Sequence, residues 1–364
     1  MSVKRVLVYA AHPAQYLFYR QTLFTLRKQG IAIKLLIKSK DVLEALVSKD
    51  GLPYDNILKE GRGSGKLAIL WALLKRDLRL LKIVNKFKPD LMLGTDASIA
   101  QVGYLRRIPS IICLEDDIEV IKNLASLAYP FATRLLVPEV CKVGKYQGKK
   151  IGYHGLMKLG YLHPAYFKHN QLVVKEVTGG SPFYLLRLSG LGAHHDFNIR
   201  GLDKAVLQKI IQFLEQSARV YISSEKELNP EFEKYRLKID PSLIHHFLKS
   251  ASLFISDSQS MSVEAAILGT PSIRVSSFTG RISVLEELEH KYRLTFGIQP
   301  GNEEILFNKV KELIALEPKT WMSRNQALLQ DKINVTAFLA WFISEYPASQ
   351  AQMEKDPEYQ YTFK

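Results

Sequence analysis

The sequence predicts an α/β protein built as two doubly wound parallel sheets, one in each half of the chain. Three observations carry this. Residues 3–10 (Val-Lys-Arg-Val-Leu-Val-Tyr-Ala) read as a strand, 16–28 as a helix stopped by Gly30, and 31–37 as the next strand. From residue 184 a second series of the same kind begins. Between the two, residues 151–164 are rich in glycine and aromatics without a clean period, as expected of a crossing between domains. A chain of 364 residues also exceeds what one core usually covers. The expected division is 1–165, 166–346 and a polar, loosely packed tail over 347–364.

Composition narrows the class. Hydrophobic residues make up 47% of the chain and mean hydropathy is near zero, which describes a globular protein. Residues 1–11 hold a charged pair and then a strand, with no long apolar run of a secretory signal. Cys113 and Cys141 form no CxxC pair, and no His/Cys cluster has zinc spacing, so the expectation is a cytoplasmic protein with no metal and no cofactor. The net charge of +14 is uneven: residues 1–180 hold 29 Lys and Arg against 14 Asp and Glu, and residues 181–364 hold 21 against 22. A basic first half predicts an anionic partner. Nucleic acid is not expected, because aromatics are not interleaved with the basic residues.

In the first half, His12 falls where the first strand meets its helix, the crevice side of such sheets. It is a candidate general base or hydrogen-bond donor, or simply the cap of that helix. No G-x-G-x-x-G follows the strand, which gives a dinucleotide site no support. Residues 60–66 (Glu-Gly-Arg-Gly-Ser-Gly-Lys) are too short between glycines for a phosphate loop, and Leu67 follows the lysine. Residues 67–88 then form a long helix. Its start is apolar and contains Trp71, and it continues with Lys75, Arg76, Arg79, Lys82, Lys86 and Lys88. Such a helix suits docking at an anionic membrane surface, or a half-buried crossover with a solvated basic end. Strands are expected over 89–93, 108–114 and 134–137 and a helix over 96–105. Glu115, Asp116 and Asp117 stand at a strand's end. Asp117 is assigned as cap of a helix starting near Ile118, and Asp116 is a candidate catalytic base.

In the second half, a strand over 184–188 leads into a long loop with His194, His195 and Asp196, then a helix over 203–216. Residues 253–275 are the most informative stretch. An apolar run (253–255) is followed by Ser256, Asp257, Ser258 and Ser260 as caps, a helix over 261–268, and a break at Gly269 and Pro271. A helix N-terminus at the carboxyl end of a parallel strand favours an anion. Glu264, one turn inside, can accept two ribose hydroxyls. A serine-capped βαβ unit without a ligand has the same spacing.

The two halves and their crossing form a GT-B-like layout, two Rossmann-type doubly wound domains facing a central cleft. The stretch Asp257-Ser258…Glu264-Ala265…Leu268-Gly269…Pro271 resembles the nucleotide-sugar segment of GT-B glycosyltransferases and of non-hydrolysing UDP-N-acetylglucosamine 2-epimerases. Gln259 and Ser260 stand where those carry two glycines, and Val263 where they carry the first of two glutamates. The run from Ser260 to Arg274 is closer to the "domain of unknown function 354" family. So are Tyr153-His-Gly155 with Tyr161-Leu-His163-Pro164, and Ile244-His245-His246.

The resemblance implies that Ser258, Gln259, Ser260, Met261 and Glu264, with Arg187 and His195, hold a nucleotide-diphosphate sugar. It implies a metal-independent glycosyltransferase of cell-surface polysaccharide or glycolipid synthesis, acting on a glycan or lipid-linked acceptor. His12 and Asp116 are then the candidate catalytic residues, and residues 67–88 would hold the enzyme peripherally at the inner face of the membrane. The alternatives are a nucleotide-sugar 2-epimerase and a non-enzymatic polyanion-binding protein on the same shell.

Overall fold

The computed structural model describes residues 3–38, 42–58, 66–188, 202–224 and 227–364, with only the backbone of 58 and 66–73. It divides into two units, residues 1–163 with 332–364, and residues 164–331.

In the first unit, β1 (Arg5–Ala10), β2 (Ala32–Lys38), β3 (Tyr54–Leu58), β4 (Leu91–Gly94), β5 (Ser110–Cys113), β6 (Arg134–Pro138) and β7 (Lys150–Tyr153) form one parallel sheet. Its order is β3-β2-β1-β4-β5-β6-β7. The helices are α1 (Pro13–Lys28), α2 (Leu43–Lys49), α3 (Lys66–Phe87), α4 (Ala97–Arg106), α5 (Lys122–Ala128) and α6 (Leu159–Leu162). Val6 to Ala10, Leu91 to Leu93 and Ile111 to Ile112 are wholly buried, the continuous apolar strands that a sheet covered on both faces requires.

The second unit opens with α7 (Gln171–Thr178), β8 (Phe183–Leu188), α8 (Lys204–Leu214), β9 (Arg219–Ser224), α9 (Ile244–Ser250), β10 (Leu253–Ser256) and α10 (Gln259–Leu268). It continues with β11 (Ser272–Val275), α11 (Ser283–His290), β12 (Thr295–Ile298), α12 (Glu303–Ala315) and α13 (Pro318–Asp331). The parallel order is β12-β11-β10-β8-β9. Strand order reverses between β1 and β4 in one sheet and between β8 and β10 in the other, the switch points where such sheets bind ligands.

The expected boundary at residue 346 is displaced. The chain rejoins the first unit at Lys332, so α14 (Val335–Ser344) belongs to the first core. This helix is apolar nearly all round (Val-Thr-Ala-Phe-Leu-Ala-Trp-Phe-Ile-Ser), and Phe338 and Phe342 are wholly buried where it packs on α1 and α6. Close approach there depends on two glycines. A Cβ at Gly160 would lie 2.9 Å from the carbonyl oxygen of Phe18, and one at Gly155 would strike Val335. Residues 347–364 are also not loosely packed. They form α15 (Ala348–Lys355) and a 3-10 turn (Pro357–Phe363). Tyr359 and Phe363 pack on Trp341 at ring-centroid distances of 4.9 and 5.2 Å, and Asn334 N–H donates to the carbonyl of Phe363 at 2.7 Å. Among the described residues, no helix is long and apolar enough to cross a membrane.

Candidate functional site

The strongest candidate site lies at the switch point of the second sheet. β10 is buried along its length and ends at Ser256, and Ser258 in extended conformation caps α10, its Oγ accepting from Met261 N–H at 3.3 Å. The Ser258 carbonyl takes the Ser262 amide at 3.3 Å and the Ser262 hydroxyl at 2.9 Å. Of the four amides a helix start leaves open, those of Gln259 and Ser260 therefore keep no acceptor among the described residues. They lie at the positive end of the helix dipole, roughly half a unit charge. Gly269, at φ 80°, closes the helix in the left-handed region that glycine tolerates.

Arg187 is in register with Ser256 on the neighbouring strand, so a cation and the helix start flank the same switch point. Its Nη1 donates to Ser223 Oγ at 2.9 Å, on β9, the neighbour of β8 on the side away from β10. Glu264 is buried, and its Oε2 lies 3.3 Å from Nε2 of His245 on α9. His246, the next residue, turns elsewhere. It stacks on Phe167 at 5.1 Å and accepts the Asn170 amide on Nδ1.

Two expected grip residues serve the scaffold through their side chains. Gln259 Nε2 donates to Ser276 Oγ at 2.6 Å, tying the helix start to the end of β11, and Met261 is buried. Arg274, the last residue of the motif, is wholly buried and points to Glu286 (3.3 Å) and Glu289 (3.6 Å) on α11. Burial lowers its pKa, and it braces α11 against β11. His195 lies outside the described residues, as do residues 60–65 and the side chain of Trp71.

The first unit carries the other two candidates. His12 is exposed and caps α1, its Nδ1 accepting Ala14 N–H at 3.3 Å. A nitrogen that accepts carries no proton, so a neutral His12 in this cap holds its hydrogen on Nε2. Asp116 follows β5 beside an ion pair between Glu115 and Lys158, both largely buried. Burial first, and the Glu115 charge second, push its carboxyl up to about 6, against the opposing pull of Lys158. The hydroxyls of Tyr129 and Tyr153 are buried and have no hydrogen-bond partner among the described residues. β1 and β5 are separated by β4, so about 10 Å of sheet lies between the strand ends that carry His12 and Asp116.

Asp117 caps no helix, because α5 starts only at Lys122. Its Oδ1 instead accepts the Lys142 amide at 2.7 Å and ties the end of β5 to the segment after β6. Sequence reasoning missed His245 as the partner of Glu264, although the Ile-His-His run was visible. It also missed Lys158, 43 residues from Glu115, for which no local pattern existed. Among the described residues no three His, Cys, Asp or Glu side chains are grouped as a metal site needs.

No curated protein matches the chain in sequence. Among solved structures, the chain is similar to MnaA of S. aureus in its co-structure with UDP, at 14% identity and TM-score 0.68, covering 95% of this chain and 97% of that one. It is similar to the UDP-GlcNAc 2-epimerase of Neisseria meningitidis bound to UDP-GlcNAc, at 13% identity and TM-score 0.61, covering 90% and 99%. It is also similar to the spinosyn forosaminyltransferase SpnP, at 14% identity and TM-score 0.62, covering 95% and 100%. These are GT-B proteins with two Rossmann-like domains, and this chain has their fold. The model of the family described as "Protein of unknown function (DUF354)" matches residues 6–292, and the chain belongs to that family.

Proposed function

We propose that the protein is a GT-B glycosyltransferase that takes a nucleotide-diphosphate sugar and passes the sugar to a glycan or lipid-linked acceptor of cell-surface polysaccharide or glycolipid synthesis. One observation carries it: Arg187 stands in register with the end of β10, and the helix that follows, α10, has open amides at Gln259 and Ser260 and the buried Glu264 carboxylate one turn inside. The amides and Arg187 suit the diphosphate, whose charge grows as the sugar leaves. A carboxylate one turn inside suits two ribose hydroxyls, since hydrogen bonds to a charged acceptor are the strong ones. His245 fixes the carboxylate's rotamer. These donors hold the leaving group without calling on a cofactor. Asp116 is the acceptor base, with a pKa close to working pH, and His12 is a donor to acceptor or sugar.

A second reading, a nucleotide-sugar 2-epimerase, is supported by the ionisable group Lys158–Glu115–Asp116, because epimerisation needs a proton removed from carbon and returned. Incubation with UDP-N-acetylglucosamine in deuterium oxide separates the two. The transferase predicts no deuterium at C2 and release of UDP when acceptor is added. Deuterium at C2 without acceptor would establish the epimerase and overturn the transferase.

A further inference from the structure

α3, α4 and α5 connect β3 to β4, β4 to β5 and β5 to β6, and all three crossovers advance in the same direction along the sheet. Right-handed crossovers therefore lay the three helices side by side on one face, opposite α1 and α2. That face exposes large apolar side chains. Leu78 is 61% exposed, Tyr104 67% and Leu105 65%, and Leu74, Leu127 and Phe131 are exposed as well. Leu74 and Leu78 are one turn apart on α3. Tyr104 and Phe131 meet edge to face at 5.5 Å, and Gln101 Nε2 donates to the carbonyl of Leu127 at 3.0 Å, so the surfaces of α4 and α5 are continuous.

The charge around these residues is almost wholly positive. Lys75, Lys82 and Lys86 are exposed on α3, Arg106 and Arg107 at the end of α4, and Lys122 at the start of α5. α4 and α5 contain no carboxylate, and the only one on α3, Asp77, has its Oδ1 buried. Among the described residues the exposed acids of these connections are Glu119, in the turn before α5, and Asp90, in the turn after α3, whose carboxylate accepts the Lys4 and Arg5 amides.

We propose that the α3–α4–α5 face docks on an anionic lipid bilayer, with Leu78, Tyr104, Leu105 and Phe131 in the interfacial layer and the lysines and arginines on the headgroups. Leucines beside basic residues are the pattern of interfacial helices, whereas a nucleic acid gains nothing from exposed Leu74, Leu78, Leu105 and Leu127. Six exposed cations against two exposed acids match a negative leaflet. The sequence placed this role on residues 67–88 alone. The structure extends it to two further helices, and it does not depend on the nucleotide site.

The test is co-sedimentation of the full chain with vesicles of phosphatidylcholine containing about a third phosphatidylglycerol, against phosphatidylcholine alone. Retention is expected on the anionic vesicles only, and it should be lost as salt rises toward ~1 M. Lys82→Gln with Lys86→Gln should weaken it about thirtyfold, roughly fivefold per cation. Leu78→Ser and Tyr104→Ser should each weaken it without shifting the circular dichroism spectrum, since both side chains are exposed. Equal retention on both vesicles, or none on either, would overturn the proposal. So would serine variants that bind as strongly as wild type while an RNA duplex competes the protein off, which would mark a charge-only polyanion site.

Discussion

At the scale of single residues, the candidate site depends on how each ionisable side chain is partnered. Buried Glu264 faces His245, and Arg187 donates to Ser223. Asp116 differs: burial and Glu115 raise its carboxyl from 3.8 to about 6. A carboxyl whose pKa is higher folded than unfolded binds its proton more tightly in the native state. Its ionisation therefore costs stability above pH 6, and the cost disappears as pH falls through about 6 toward 4. Asp116→Asn should raise stability by at most about 3 kcal/mol at pH 8 and leave it unchanged at pH 4, measured by urea unfolding. If Asp116 is the base, the same variant lowers turnover at least about a hundredfold, and the wild-type rate falls below pH 6. A variant with full turnover at every pH would remove Asp116 from the chemistry.

At the scale of elements, legibility follows how local the determining interaction is. The end of α10 was readable, because Gly269 terminates it through local contacts, but its start was read two residues late: the helix begins at Gln259, with Ser258 as cap and Ser260 inside it, since capping residues crowd this stretch. The end of β5 misled for the same reason inverted: three acids in a row look like a helix start, yet Asp117 bonds Lys142, 25 residues away. The place of α14 in the first core was not legible, since an all-apolar helix carries no mark of which sheet will cover it. Phe338→Ala should cost the first unit about 3–5 kcal/mol. Amide hydrogen exchange should then quicken in β1 and β2 while β8 to β12 keep their protection. Faster exchange confined to β8 to β12 would return α14 to the second domain, as the sequence alone suggested.

At the scale of the whole molecule, two parallel sheets with a reversal of strand order in each were visible as repeated strand–helix periodicity, and the family resemblance supplied their GT-B character. The return of residues 332–364 to the first unit was not visible, because it is a long-range packing choice. Each sheet offers a switch point, and at the second Arg187 stands in register with Ser256 while the helix that follows, α10, carries open amides at its start and the buried Glu264 one turn inside. The most direct test is calorimetric titration of UDP into the wild-type protein and into Glu264→Ala. Saturable binding is expected for wild type. The variant should bind about 10- to 100-fold more weakly, the loss of hydrogen bonds to a charged acceptor. No binding of any nucleoside diphosphate by wild type, or equal affinity in the two proteins, would contradict the assignment of Glu264 and of the switch point as the nucleotide grip.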